Sequence, residues 1–321
     1  MGNNELKEKN THKNQHFIPA SYLKLWVDPE FSTRKSGFIW LYARDGSFVR
    51  KISPQNVFKE RDFYTIVDKK GKRDLYLEEK LSVIEGLYAS LQKNKLCRMQ
   101  SLDENEKQII VVFVATLLAR TAKKRQMARD NWGKLIENDD KWVEWQKTMS
   151  PKELKQKAKD DKRILDSLKK IGAPSISLEE AKKIYEHPIQ EMMGIEVEIT
   201  SKLLSNMNFT FFYTKHPRGF ITSDSPVLLI DPELGKNGFS SLAFNSPTIE
   251  ILCPLSPQLS IVFSHYGPNG YFQIEGLKME EVNRLYRANA DKYFVVNKNT
   301  IEPFWLSKFT DAQLINRKYF K

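Results

Sequence analysis

Eleven consecutive residues without a charge, Ile109 to Ala119 (IIVVFVATLLA), constrain this chain more than any other stretch of it. A helix needs about 20 apolar residues to cross a bilayer, so the run is too short to span one. It reads instead as the centre of a helix buried in protein. Asp103-Glu104-Asn105-Glu106 stands before it, an N-cap residue with an acid three positions on, which is the capping-box pattern. Arg120-Thr121 closes it, and the helical pattern extends toward Asp130. A buried helix needs other elements around it. At 321 residues and 40% hydrophobic content the chain is long and apolar enough to supply them. Those values exclude a disordered chain and a disulfide miniprotein.

The surrounding elements can be read on both sides. Residues 1–15 are polar and read as a disordered tail, without the apolar stretch of a signal peptide. Tyr22, Leu23 and Trp26 share a face, which predicts a short helix over 19–27. Asp45-Gly46 between the β-rich runs 38–44 and 48–52 predicts a hairpin. Residues 62–67 read as a strand. Leu77, Leu81, Ile84, Tyr88 and Leu91 have helical spacing over 75–93. Ser177 and Glu180 form a second capping box, and Pro188 marks a kink or restart in the helix that follows. From Phe209 the texture turns to short β-rich runs at 209–213, 219–222, 226–230, 249–253 and 259–263. A helix over 280–290 and a strand over 293–296 end the pattern. Strands, then helices, then strands predict an α+β fold. The expected architecture is an antiparallel sheet built from N- and C-terminal strands, with a central, mainly α-helical lobe at 75–206 inside a single domain at 16–321.

Charge and motifs bound the function loosely. The net charge is +11 and the pI about 9.3, which permits a nucleic-acid partner without requiring one. Residues 123–170 carry 15 Lys and Arg against 9 Asp and Glu. They read either as solvated helices laced with ion pairs or as a basic arm for nucleic acid. Cys97 and Cys253 are too far apart in sequence for a disulfide framework or a metal site. Both are expected in or near the core, which fits a cytoplasmic protein. There is no P-loop, GxGxxG, GxSxG, HExxH or zinc spacing, so no metal ligand is assigned and the cofactor stays unknown. Asp68-Lys69-Lys70 has the D-x-K spacing of a metal-dependent nuclease, with Glu60 and Asp62 as the close upstream acids. The other reading is a charged hairpin tip before Gly71.

A few polar residues stand out by position. His16 precedes the first helix, flanked by Phe17 and Ile18. It could serve a site or bond the backbone there. Arg120 leaves the buried helix beside Thr121. It is expected either to pair with Glu78, Glu79 or Glu85 on the preceding helix or to clamp an anion. Ser223-Asp224-Ser225-Pro226 lies between two apolar runs. Asp224 could cap that turn or be displayed at a sheet edge.

In order, QHFIPASYLKLW, FYT at 63–65, Leu77-Glu78-Glu79 with Ile84-Glu85, FVATLLART and FITSDSPV resemble a bacterial family of unknown function, DUF4238. Its HxxPxxYL opening and SDxPV turn are together fairly specific. The resemblance spans about residues 15 to 300. It implies His16, Glu85, Arg120, Ser223 and Asp224 as the characteristic polar positions, and no reaction. The expected function is an enzyme acting on a phosphodiester or other anionic substrate, a nuclease-like defence or toxin effector. His16, Glu85, Arg120 and Asp224 would be catalytic, and Ser223 and Thr121 would bind substrate. The alternative is a binding or scaffold protein whose polar cluster is a buried structural network.

Overall fold

A computed structural model describes residues 13–31, 37–67, 70–170, 176–231, 236–237 and 246–307. In chain order the elements begin with β1 (Asn14–His16), α1 (Ala20–Leu23), β2 (Ile39–Ala43), β3 (Val49–Ile52), β4 (Lys59–Arg61), β5 (Ile66–Val67) and β6 (Arg73–Asp74). The helices α2 (Tyr76–Asn94), α3 (Glu104–Ala119), α4 (Ala122–Gln146), α5 (Pro151–Lys170), α6 (Leu178–Glu186) and α7 (Pro188–Ser205) follow. The remainder is β7 (Asn208–Tyr213), β8 (Thr222–Ser223), β9 (Leu228–Asp231), β10 (Lys236–Asn237), β11 (Glu250–Ser256), β12 (Leu259–Ser264), β13 (Gly270–Gln273), α8 (Leu277–Asn289) and β14 (Tyr293–Val296).

The fold is α+β. One sheet has the order β3-β2-β14-β8 and is antiparallel throughout, so N-terminal and C-terminal strands share it. A six-stranded sheet, β10-β9-β11-β12-β7-β13, comes from the C-terminal half; only β13 runs parallel to its neighbour. The apolar face of α8 (Met279, Val282, Leu285, Tyr286) joins Phe212, Leu252 and Val262 of the larger sheet and Tyr42, Phe294 and Val296 of the smaller in one core. The chain divides into two compact units, one of residues up to 123 together with those from 193 onward, the other of residues 124–192.

The uncharged run lies in α3 as its composition requires. Nine residues between Ile110 and Ala119 are buried, and the Asp103–Glu106 capping box is formed from both sides. Aromatic side chains tie α3 to its surroundings. Phe113 stacks on Tyr88 of α2 at 3.6 Å between centroids and meets Tyr22 of α1 at 5.9 Å. The polar tips of these rings find backbone partners, as buried Tyr and Trp must. Tyr22 donates to the Pro254 carbonyl, Tyr88 to that of Leu255 and Trp26 to that of Phe220.

Several expectations need correction. The helical pattern after Ala119 is not one piece: Arg120 leaves α-helical dihedrals (φ −102°, ψ 15°) and α4 begins at Ala122. Residues 62–67 are not one strand either. Asp62 takes a left-handed φ of 52°, which ends β4 before β5 begins. Within 219–222 only Thr222 enters a sheet. Gly219 has φ +62°, and a Cβ there would meet the Pro257 oxygen at 2.0 Å, so the approach needs glycine. Asn14 and Gln15, assigned to the tail, pair with Arg61 and Glu60 as strand β1. Cys97 is exposed, and only Cys253 is a core thiol. Asp68 and Lys69 of the D-x-K spacing lie outside the described residues, as does the tail before Lys13. Among the described residues no helix is long and apolar enough to cross a membrane.

Candidate functional site

Strand β1 sets the first residue of the site. Neighbouring side chains on a strand point to opposite faces, so Gln15 and His16 diverge. Gln15 is fully buried; its amide donates to Thr65 Oγ1 at 2.8 Å and accepts from the Tyr64 N–H at 2.7 Å. That pair of bonds fixes the loop carrying Tyr64 against β1. The Tyr64 hydroxyl in turn donates to the His16 carbonyl at 3.0 Å. His16 pairs with Lys59 across the ladder. On either side of β4, Phe58 and Asp62 hold φ of 54° and 52°. A bulky non-glycine residue in the left-handed region is strained, and such strain persists where the surroundings enforce it.

Helices α2 and α3 bring the other members. Arg120, at the C-terminal end of α3, is fully buried, and its Nη1 donates to Glu85 Oε1 at 2.7 Å. The Glu85 side chain is 24% exposed, so the pair has one end in protein and one at solvent. The site at a helix C-terminus suits a cation. Burial works against the guanidinium charge, but the Tyr64 hydroxyl and the Glu85 carboxylate outweigh it, and its pKa lies above the usual value. Burial pushes the Tyr64 phenol up, which keeps it a neutral donor. Burial also lowers the pKa of His16, and Lys59 adds to this. The carbonyls of Gln55 and Pro54 and the Glu85 carboxylate pull the other way and do not win. His16 is therefore a neutral imidazole at pH 7, near a carboxylate that favours its protonated form. Its Nε2 is buried without a hydrogen-bond partner, and so are Nε and Nη2 of Arg120. Buried polar atoms are nearly always bonded; the Tyr64 hydroxyl lies beside the Arg120 guanidinium, so His16 Nε2 is the atom that calls for an explanation.

The structure thus brings together His16, Glu85 and Arg120, with Tyr64 and Lys59. It gives Asp224 other company. The Asp224 carboxylate, 5% exposed as a residue, accepts the N–H groups of Asp291, Lys292 and Tyr293 at 2.7–2.9 Å. It follows the edge strand β8 and caps not its own turn but a second segment, the one leading into β14. None of these contacts involves His16, Glu85 or Arg120. Burial pushes its pKa up to about 6, against the pull of the three donors. Ser223 and Thr121 are buried as well, at 1% and 3% exposure. The Ser223 hydroxyl accepts the Ser225 N–H at 3.1 Å, a turn-forming bond. Thr121 sits at the break between α3 and α4. Among the described residues no three His, Cys, Asp or Glu side chains gather as metal ligands.

Two members were not foreseen as chemistry: Tyr64, visible in the sequence only as part of FYT, and Lys59. Their signal is strand register, since β1 and β4 must pair before either nears His16.

The family model described as "Protein of unknown function (DUF4238)" matches residues 14–300. No curated protein and no solved structure matches the chain.

Proposed function

The chain belongs to the DUF4238 family, and from that premise we propose that it is an enzyme acting on a phosphodiester or other anionic substrate, with His16 and Glu85 as its acid–base pair. One observation carries the reading. A neutral imidazole with an unpartnered Nε2 lies near a partly exposed carboxylate, and that carboxylate is held by a fully buried arginine. A base, the group that favours its protonated form and a group that fixes the second are the parts that activate a nucleophile. His16 takes the proton of the attacking hydroxyl or water. Glu85 stabilises the imidazolium that results. Arg120, buried and bonded to the Glu85 carboxylate, is a positioning residue for Glu85. Lys59 supplies the cation that draws an anion to this edge. Asp224 is likewise a positioning residue, for the segment 291–293. The same reading sets the chain in the cytoplasm as a nuclease-like defence or toxin effector, with nucleic acid as the polyanion suited to a net charge of +11.

A second reading has one observation of its own. The nitrogens without partners are out of solvent reach, as in a buried network that fastens β1 to α2 and α3. Incubating the full chain with RNA and DNA, with Mg²⁺ or Mn²⁺, separates the two. The enzyme reading expects cleavage by the wild type and its loss in His16→Ala at a nearly unchanged melting temperature. No cleavage of either polymer, or equal cleavage by the variant, rejects it; a large drop in melting temperature with no activity to lose favours the network.

A further inference from the structure

A cavity of about 530 Å³ lies between the β2–β3 hairpin and the segment that Asp224 holds. It shares no residue with the His16 cluster. Arg44, Asp45, Ser47 and Phe48 line it from the hairpin, and Arg287, Asp291, Lys292 and Tyr293 from the end of α8 and the start of β14. Both arginines are braced by backbone carbonyls: Arg44 Nη2 donates to Ala288 at 2.9 Å and Arg287 Nη2 to Ser307 at 3.1 Å. Neither has a carboxylate within ion-pair distance among the described residues, and Arg287 Nε is buried without a partner. Burial and the neighbouring Arg44 and Arg284 push the Arg287 pKa down to about 10, with no carboxylate acting in the other direction. Two guanidiniums held by backbone carbonyls and engaged in no ion pair among the described residues, although Asp45 and Asp291 share the lining, are a ready place for a phosphate.

The rest of the lining narrows the ligand. Phe48 is 42% exposed and packs edge-on against Tyr293, which leaves its ring open to stacking. Asp45 and Asp291 would repel a bare inorganic anion, but they accept hydrogen bonds from hydroxyl or amino groups. A ligand with an anionic end, hydroxyls and a flat ring answers all three features. Gly46 has φ +78°, and a Cβ there would meet Leu306 Cδ1 at 2.6 Å, so the hairpin tip leaves room for Leu306, which also lines the cavity. The buried Asp224 is in effect the pocket's frame, since its three acceptor bonds hold Asp291, Lys292 and Tyr293.

We infer that this cavity binds a nucleoside phosphate, with the phosphate between Arg44 and Arg287, the base against Phe48 and the sugar hydroxyls on Asp45 or Asp291. The test is calorimetric titration of the full chain with adenosine 5′-monophosphate, adenosine and inorganic phosphate. The nucleotide should bind saturably with a Kd below about 1 mM, at least about tenfold tighter than either fragment. Arg44 is exposed, so Arg44→Gln should fold and should weaken the nucleotide about tenfold or more. Phe48→Ala should reduce the nucleotide to the affinity of phosphate, and His16→Ala should leave it unchanged. Saturable binding by none of the adenosine, guanosine, cytidine and uridine monophosphates overturns the inference. So does phosphate binding as tightly as the nucleotide, or an unchanged affinity in Arg44→Gln.

Discussion

At the scale of single residues, the Glu85–Arg120 pair is asymmetric, and the asymmetry can be measured. Arg120 is wholly buried while Glu85 reaches solvent. Removing Glu85 strands a buried charge, which costs about 3–5 kcal/mol. Removing Arg120 leaves a carboxylate that water can solvate, and a methionine of similar length refills the space. Urea unfolding should therefore find Glu85→Ala clearly more destabilised than Arg120→Met; the opposite order would mean that the carboxylate, not the guanidinium, depends on the pair. The sequence made this pairing legible as one of two options, because an arginine closing an uncharged helix needs either a carboxylate or an anion. Which of Glu78, Glu79 and Glu85 it meets was not legible, since that depends on how α2 and α3 pack. Arg120 as a direct anion clamp is the expectation its burial removes.

At the scale of elements, Asp224 connects β8 to the segment before β14. Its loss leaves three backbone N–H groups without their acceptor, and Asp224→Ala should lower stability by about 2–4 kcal/mol. A carboxyl whose folded pKa of about 6 exceeds its unfolded value near 3.8 stabilises fully below pH 3.8, and that contribution is lost as pH rises through 6. Unfolding free energies of the wild type and Asp224→Asn across pH 4 to 7 should diverge accordingly, the wild type losing stability relative to the variant. Parallel curves would show that Asp224 does not titrate there. Local pattern revealed the elements best where it is strongest. Asp45-Gly46, both capping boxes and the restart at Pro188 stand where the sequence puts them. It failed at Asp62 and Arg120, where one residue leaves the regular backbone to serve a distant contact, and at β1, whose partner lies more than forty residues away. The same distance hid Tyr64 and Lys59.

At the scale of the whole molecule, burial differs between the units. Among the described side chains from 124 to 170 none is buried. Ion pairs such as Lys141–Glu137 at 4.0 Å in α4 and Lys157–Asp161 at 2.7 Å in α5 have the spacing of a solvated helix surface. The larger unit, residues up to 123 and from 193, contains helix α3 with its uncharged run, both sheets, the His16 cluster and the cavity lined by Arg44 and Arg287. The proposed role of His16 as a base belongs to this unit. It is tested most directly by the rate at which the full chain hydrolyses a phosphodiester between pH 5 and 8, wild type beside His16→Asn. The wild-type rate should rise with pH to a plateau through an apparent pKa below the usual 6.5 of histidine, because the base must be neutral and burial keeps it so. The variant should lose about 10²–10⁴-fold of that rate while melting within a few degrees of the wild type. No hydrolysis by the wild type, or the same rate and profile in the variant, would contradict the claim.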